Sequence, residues 1–150
     1  MKIKPYLLLL CLFFSLSTGK ANALNKLIAI DGNNPIMKVL TNQENAWNKG
    51  DLDGFMAHYW KSENLQFVSK SGVKKGWQTV YDSYQKNYAA KNEMGKLQFN
   101  VLNIEQINGK NAMVTGSWKV ENKSGIHQGF FTLWFKKING NWFIVSDHTS

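Results

Sequence analysis

The side chains best able to do acid–base chemistry in this sequence are three histidines, His58, His127 and His148. An imidazole can act as a general acid or base near neutral pH, or ligate a metal. A metal site needs three or four convergent donors, and no His-x-x-x-His or comparable spacing occurs, so no metal and no other cofactor is expected. His58 lies at the margin of an apolar helical stripe and His127 opens a long strand; both read as surface or capping residues. His148 reads either as a base or as a residue pinning the chain end. Strand alternation puts Trp142, Ile144, Ser146 and His148 on one face and Phe143, Val145 and Asp147 on the other.

The phenols available to hold a developing negative charge are Tyr59, Tyr81, Tyr84 and Tyr88. Trp77, Val80, Tyr81, Tyr84 and Tyr88 fall on one helical stripe, and three tyrosines in succession suggest a polar pocket wall, because buried hydroxyls need partners. Carboxylates are scarcer. Asp82 lies off the stripe, Asp51 and Asp53 suit a helix start, and Asp147 has the opposite parity to His148. Trp60, Phe67, Trp77, Phe99, Trp118 and Trp134 are further candidates for pocket walls, most of them core, with about two or three reaching a ligand. Trp118 shares a strand face with Ala112, Val114, Gly116 and Val120 and is expected to look inward, with Gly116 leaving room beside it.

These residues need a scaffold, and the chain begins with a segment that is not part of one. Lys2 and Lys4 precede the apolar run Tyr6 to Leu16, and the small-residue site Ala21-Asn22-Ala23 follows. This is the pattern of a secretory leader over residues 1–23, cleaved after Ala23, giving a periplasmic or secreted protein. The apolar run falls short of the about 20 residues that span a bilayer, so no stable membrane insertion is expected after cleavage. Cys11 is the one cysteine and lies in the leader. The mature chain therefore has no disulfide, no thiolate nucleophile and no cysteine-rich zinc site. Residues 24–150 have the size of a single domain.

The mature chain is basic, with 15 lysines against 10 acidic residues. Nucleic-acid binding is still not expected, since the sequence has no arginine and its lysines are scattered rather than clustered. Asn34-Pro35 marks the start of a first helix carrying Ile36, Leu40, Gln43 and Trp47 and ending near Gly50. Asp51 can cap a second helix with Leu52, Phe55, Met56 and Tyr59 on one face, stopping near Trp60. Leu65 and Phe67 mark a short strand, and Ser71-Gly72 turns the chain toward a third helix from about Gly76. Leu97 to Ile107, Ala112 to Glu121, Ile126 to Ile138 and Trp142 to His148 then read as strands joined by Asn108-Gly109, Lys123-Ser124-Gly125 and Asn139-Gly140 turns. Helices first and an antiparallel meander afterwards define an α+β domain.

Several strings carry a resemblance: Ala46-Trp47-Asn48-Lys49-Gly50-Asp51, Val68-Ser69 with Gly72 and Gly76, Gly129-Phe130-Phe131-Thr132-Leu133, and the closing run from Trp142 to Ser150. They look like the SnoaL-like, ketosteroid-isomerase-related branch of the nuclear transport factor 2-like superfamily, over nearly the whole mature chain. The resemblance implies a cone in which N-terminal helices pack on a curved antiparallel sheet and enclose a pocket, often dimerising through the sheet. It implies that the Trp-Ile-His face of the last strand points inward, with His148 beside Trp142 at the cavity mouth. His148 and Tyr84 would then form a catalytic pair, and Trp60, Trp77, Tyr81, Trp118 and Trp142 would bind a ligand.

Members of such a superfamily include isomerases, cyclases, dehydratases and binding modules, so the fold does not choose the chemistry. The reading is an exported small-molecule-binding domain with an aromatic pocket. One alternative is an isomerase- or lyase-like enzyme using His148 with a pocket tyrosine. The other is a homodimeric interaction module, because Phe130 and Trp134 lie on the face opposite Phe131, Leu133 and Phe135.

Overall fold

The Asn34 side chain accepts the Ile36 amide at 2.8 Å and Pro35 takes the first helical position, so the chain enters α1 (Pro35–Asn48) at the expected point. The computed structural model describes residues 31–88 and 94–150, and the leader expected over residues 1–23 lies outside them. α1 buries Ile36, Val39, Leu40, Gln43, Ala46 and Trp47 at the spacing of an amphipathic helix. Gly50 then adopts a φ of +73°, which a residue without a Cβ tolerates. Asp51 caps α2 (Leu52–Met56) by accepting the Gly54 amide at 2.8 Å.

α2 stops after five residues instead of near Trp60. The cause is a competing backbone partner. Ile144 N–H donates to the His58 carbonyl at 3.0 Å and Trp60 N–H donates to the Ile144 carbonyl at 2.9 Å, so Tyr59 leaves the helix to run beside the last strand. β1 (Gln66–Ser69) and β2 (Gly72–Lys75) follow as a hairpin. The turn at Ser71-Gly72 therefore leads into a second strand, where the sequence reading passed straight to a helix. α3 (Trp77–Asn87) starts after Gly76 as expected.

The long strands are β3 (Lys96–Asn108), β4 (Asn111–Asn122), β5 (Gly125–Ile138) and β6 (Asn141–Thr149). Asn139 and Gly140 both have positive φ at the β5–β6 turn, as a tight hairpin requires. The six strands form one sheet in the order β2-β1-β6-β5-β4-β3. Its neighbours are antiparallel except β1 and β6, which pair in parallel with Phe67 opposite Asp147. The sheet is thus mixed, a correction to the antiparallel expectation. Parallel neighbours need a long crossover, here most of the domain, and no local turn announces it.

β6 carries a bulge that reverses its faces. Trp134 pairs with Ser146 and Phe135 with Ile144, leaving Val145 as an extra residue. Before the bulge Trp142 and Ile144 are buried; after it Asp147 is buried and lies opposite the buried Leu133. A one-residue slip exchanges the two faces of a strand. His148 is exposed and opposite the exposed Thr132, so the expected inward Trp-Ile-His face fails at Val145.

α1 is tied to the free edge of β3. The Asn48 side chain accepts the Leu97 amide at 2.7 Å and donates to the Leu97 carbonyl at 3.0 Å, while Glu44 accepts the Phe99 amide at 2.8 Å. Side chains thereby satisfy backbone groups that an edge strand otherwise exposes. Trp47 Nε1 donates to the Met94 carbonyl at 2.9 Å, fixing the indole beneath the helix. Met56, Leu65, Ala112, Val114 and Phe135 are fully buried between helices and sheet. Among the described residues no helix is long and apolar enough to cross a membrane.

Candidate functional site

The helices and the concave sheet face enclose a cavity of about 640 Å³, within the range of small-molecule sites. Its buried wall is largely aromatic. Trp47 from α1 packs edge-on against Phe55 at 5.1 Å and Tyr88 at 4.8 Å between ring centroids, and Tyr84 from α3 reaches Phe55 at 5.5 Å and Phe67 at 5.9 Å. Such edge-to-face contacts hold ring positions beyond simple area burial. From the sheet come Phe99, Trp118, Phe131 and Leu133. A Cβ at Gly116 would run into the Phe131 ring, so this glycine makes room for Phe131 rather than for open space beside Trp118. The exposed lining residues, among them Lys70, Ser71, Asn87, His127 and Ser150, mark the mouth.

One carboxyl lies in this wall. Asp147 is 5% exposed, its Oδ2 accepts the Tyr59 hydroxyl at 2.7 Å, and its buried Oδ1 has no hydrogen-bond partner. Burial pushes its pKa up from the ordinary 3.8 to about 7, with the Tyr59 hydrogen bond pulling the other way. Burial and then the Asp147 charge raise the Tyr59 phenol well above its ordinary value, and the same two causes raise Tyr84. Both phenols therefore stay protonated donors. A carboxyl poised near 7 can give or take a proton at neutral pH, and the Tyr84 phenol nearby can donate to a developing negative charge while Tyr59 holds the carboxyl in place. Among the described residues Trp118 Nε1 is the other buried side-chain polar atom without a partner; it lies against Gly129, where a Cβ would come within 3.0 Å.

The residues singled out from sequence divide between the cavity and other places. Tyr84 and Trp118 line the cavity; His148, Trp60, Trp77, Tyr81 and Trp142 are not among its lining residues. The aromatic stripe of α3 covers two faces: Val80, Tyr84 and Tyr88 turn to the cavity, while Trp77 and Tyr81 stack at 4.9 Å on its flank. There Tyr81 donates to Asp53 Oδ1 at 2.5 Å and Trp77 Nε1 donates to the Met56 carbonyl at 3.1 Å, a joint between α3 and α2. Trp142 is buried before the bulge, beside a smaller cavity of about 370 Å³ that also touches a half-buried His58. Sequence reasoning set Asp147 aside on parity, and nothing in Ile144-Val145-Ser146 marks the bulge. Among the described residues no three His, Cys, Asp or Glu side chains gather as a metal site.

The buried carboxyl has a consequence for stability. Because the folded-state pKa of Asp147 lies above its unfolded value, the folded protein holds this proton more tightly. The stabilisation is complete below pH 3.8 and is lost as pH rises to about 7, a swing of at most roughly 4 kcal/mol. Asp147→Asn should flatten the fall in urea-unfolding free energy between about pH 4 and pH 8. A variant whose pH profile superimposes on the wild type would show that Asp147 is not the titrating group.

A family profile described as the SnoaL-like domain matches residues 36–150. No curated protein matches. Among solved structures, an NTF-2-like protein of unknown function from Shewanella oneidensis superposes with a TM-score of 0.77 at 37% identity, covering 80% of this chain and 99% of that one. An NTF2-like superfamily protein from Salmonella enterica gives 0.62 at 18% identity, covering 77% and 87%. A ketosteroid isomerase-like protein from Erwinia carotovora gives 0.62 at 14% identity, covering 80% and 95%. The helices, the curved six-stranded sheet and the cavity between them agree with these matches: the chain belongs to the SnoaL-like domain family and has the nuclear transport factor 2-like fold.

Proposed function

We propose that this protein is an exported small-molecule-binding domain whose ligand occupies the aromatic cavity. The observation that carries this reading is the cavity itself: about 640 Å³ of space lined by Asp147 and Trp118, whose Oδ1 and Nε1 are, among the described residues, the two buried side-chain polar atoms without partners. Buried polar groups are nearly always satisfied, and a bound molecule is one way to do so. The second reading, an acid–base enzyme, is favoured by the Asp147 carboxyl near pH 7 beside two protonated phenols. In that reading Asp147 takes the role that the sequence assigned to His148.

Export rests on the leader pattern of residues 1–23. A homodimer rests on the outer sheet face, where Phe130 is 64% and Trp134 is 41% exposed on β5. A second copy packed there would cover both rings.

A thermal-shift screen of small polar and apolar metabolites tests the binding reading. A compound at 100 times its Kd should stabilise the fold by about 2.7 kcal/mol, several degrees in Tm, and move the Trp118 indole N–H resonance. Cooperative melting that no compound shifts would count against a working pocket. Each hit is then incubated and assayed for conversion: an enzyme should lose turnover but keep binding in Asp147→Asn, and turnover unaffected by that change would remove Asp147 from the mechanism. N-terminal sequencing of the protein recovered outside the cytoplasm should begin at Leu24; an intact Met1 would sink the cleavage assignment. Light scattering should give twice the chain mass, reduced to one by Phe130→Lys, whereas a wild-type monomer at high concentration would end the dimer proposal.

A further inference from the structure

The charges around the cavity are segregated by depth. Among the described residues its one carboxyl side chain, Asp147, lies in the buried wall, whereas its two lysines, Lys70 and Lys74, come from the β1–β2 hairpin at the mouth. No glutamate and no second aspartate among the described residues lines the cavity. Among the described residues the ion pair found is Lys119 with Glu121, so neither mouth ammonium has a carboxylate partner. Lys74 is half-buried; its Nζ lies 3.2 Å from Ser71 Oγ and 5.9 Å from the centroid of Phe67, a ring of the cavity wall. A hydroxyl and an aromatic face thus hold this ammonium at the entrance without neutralising it.

Resting on the small-molecule reading above, we infer that the ligand is an amphipathic organic anion, seated with its charged group between Lys70 and Lys74 and its uncharged body within the aromatic cavity. Four features support this orientation and class. Two unpaired ammonium groups at an entrance attract an anion and repel a cation approaching the same opening. The buried end is a low-dielectric aromatic wall without a cationic side chain, so an anion inserted headfirst would lose its hydration there. The lysines present compact point charges without the flat fork of arginine, which suits one small oxyanion. Ser69 and Ser71, whose hydroxyls are hydrogen-bonded to each other at 2.8 Å beside Lys70, leave one O–H free to donate at the same edge.

A matched pair of fluorescent probes separates this inference from the binding reading on which it rests. 8-Anilinonaphthalene-1-sulfonate carries a sulfonate, and N-phenyl-1-naphthylamine is the same ring system without it. Titrated into the purified protein at low salt, the sulfonate should bind about tenfold more tightly, with the preference shrinking as salt screens it. Lys70→Met with Lys74→Met should abolish the preference, read as the ratio of the two probes' affinities for that variant. Lys136→Met with Lys137→Met, exposed positions outside the cavity lining, should preserve it. If both probes bind equally, or the preference survives in the Lys70/Lys74 double variant, the anion inference is overturned while the pocket stands. Failure of both probes to bind a cooperatively melting protein overturns the pocket and the inference together.

Discussion

The buried hydrogen bond from the Tyr59 hydroxyl to Asp147 joins the helical layer to the last strand, across a sequence separation of 88 residues. Removing either partner would leave a buried polar group unsatisfied, which costs more than the bond itself contributes. The arrangement needs two backbone events to occur together. The chain must leave α2 early, so that Tyr59 can run alongside Ile144, and β6 must bulge at Val145, so that Asp147 turns inward. Neither event would give Asp147 Oδ2 its phenol partner without the other.

The rest of the cavity is arranged around that contact. α1 is locked to the edge of β3 by Asn48 and Glu44, which places Trp47 above the sheet. Trp47 and Tyr84 then serve as the centres of an edge-to-face network reaching Phe55, Phe67 and Tyr88. Rings held this way resist collapse into the empty space, because moving one forfeits contacts with several others. A low-dielectric wall is the direct result, and it is what raises the pKa of Asp147 and of both neighbouring phenols. The polar mouth contrasts with this wall, so the cavity has a charged end and an apolar end.

The sequence showed some of this site and hid the rest for identifiable reasons. Tyr84 and Trp118 could be placed on cavity-facing positions from helical and strand periodicity, because their elements are regular. Trp77 and Tyr81 shared the same apparent stripe, yet a stripe that wide wraps past one face of a helix, and tertiary contacts with Asp53 and Met56 claimed the flank. His148 and Asp147 were exchanged by a single inserted residue. Alternation is reliable only while register is unbroken.

Local chemistry in the sequence by itself determined the start of α1 at Asn34-Pro35, the Asp51 cap, the third helix from Gly76, and the meander with its glycine turns. Each depends on interactions within a few residues, and the chain carries those with it. The tertiary structure alone decided the parallel pairing of β1 with β6, the early end of α2, the bulge at Val145 and the burial of Asp147. These depend on which distant segments satisfy one another's backbone groups and fill the core. A change of one residue in that long-range register reverses which side chain meets the cavity, and no local propensity records it.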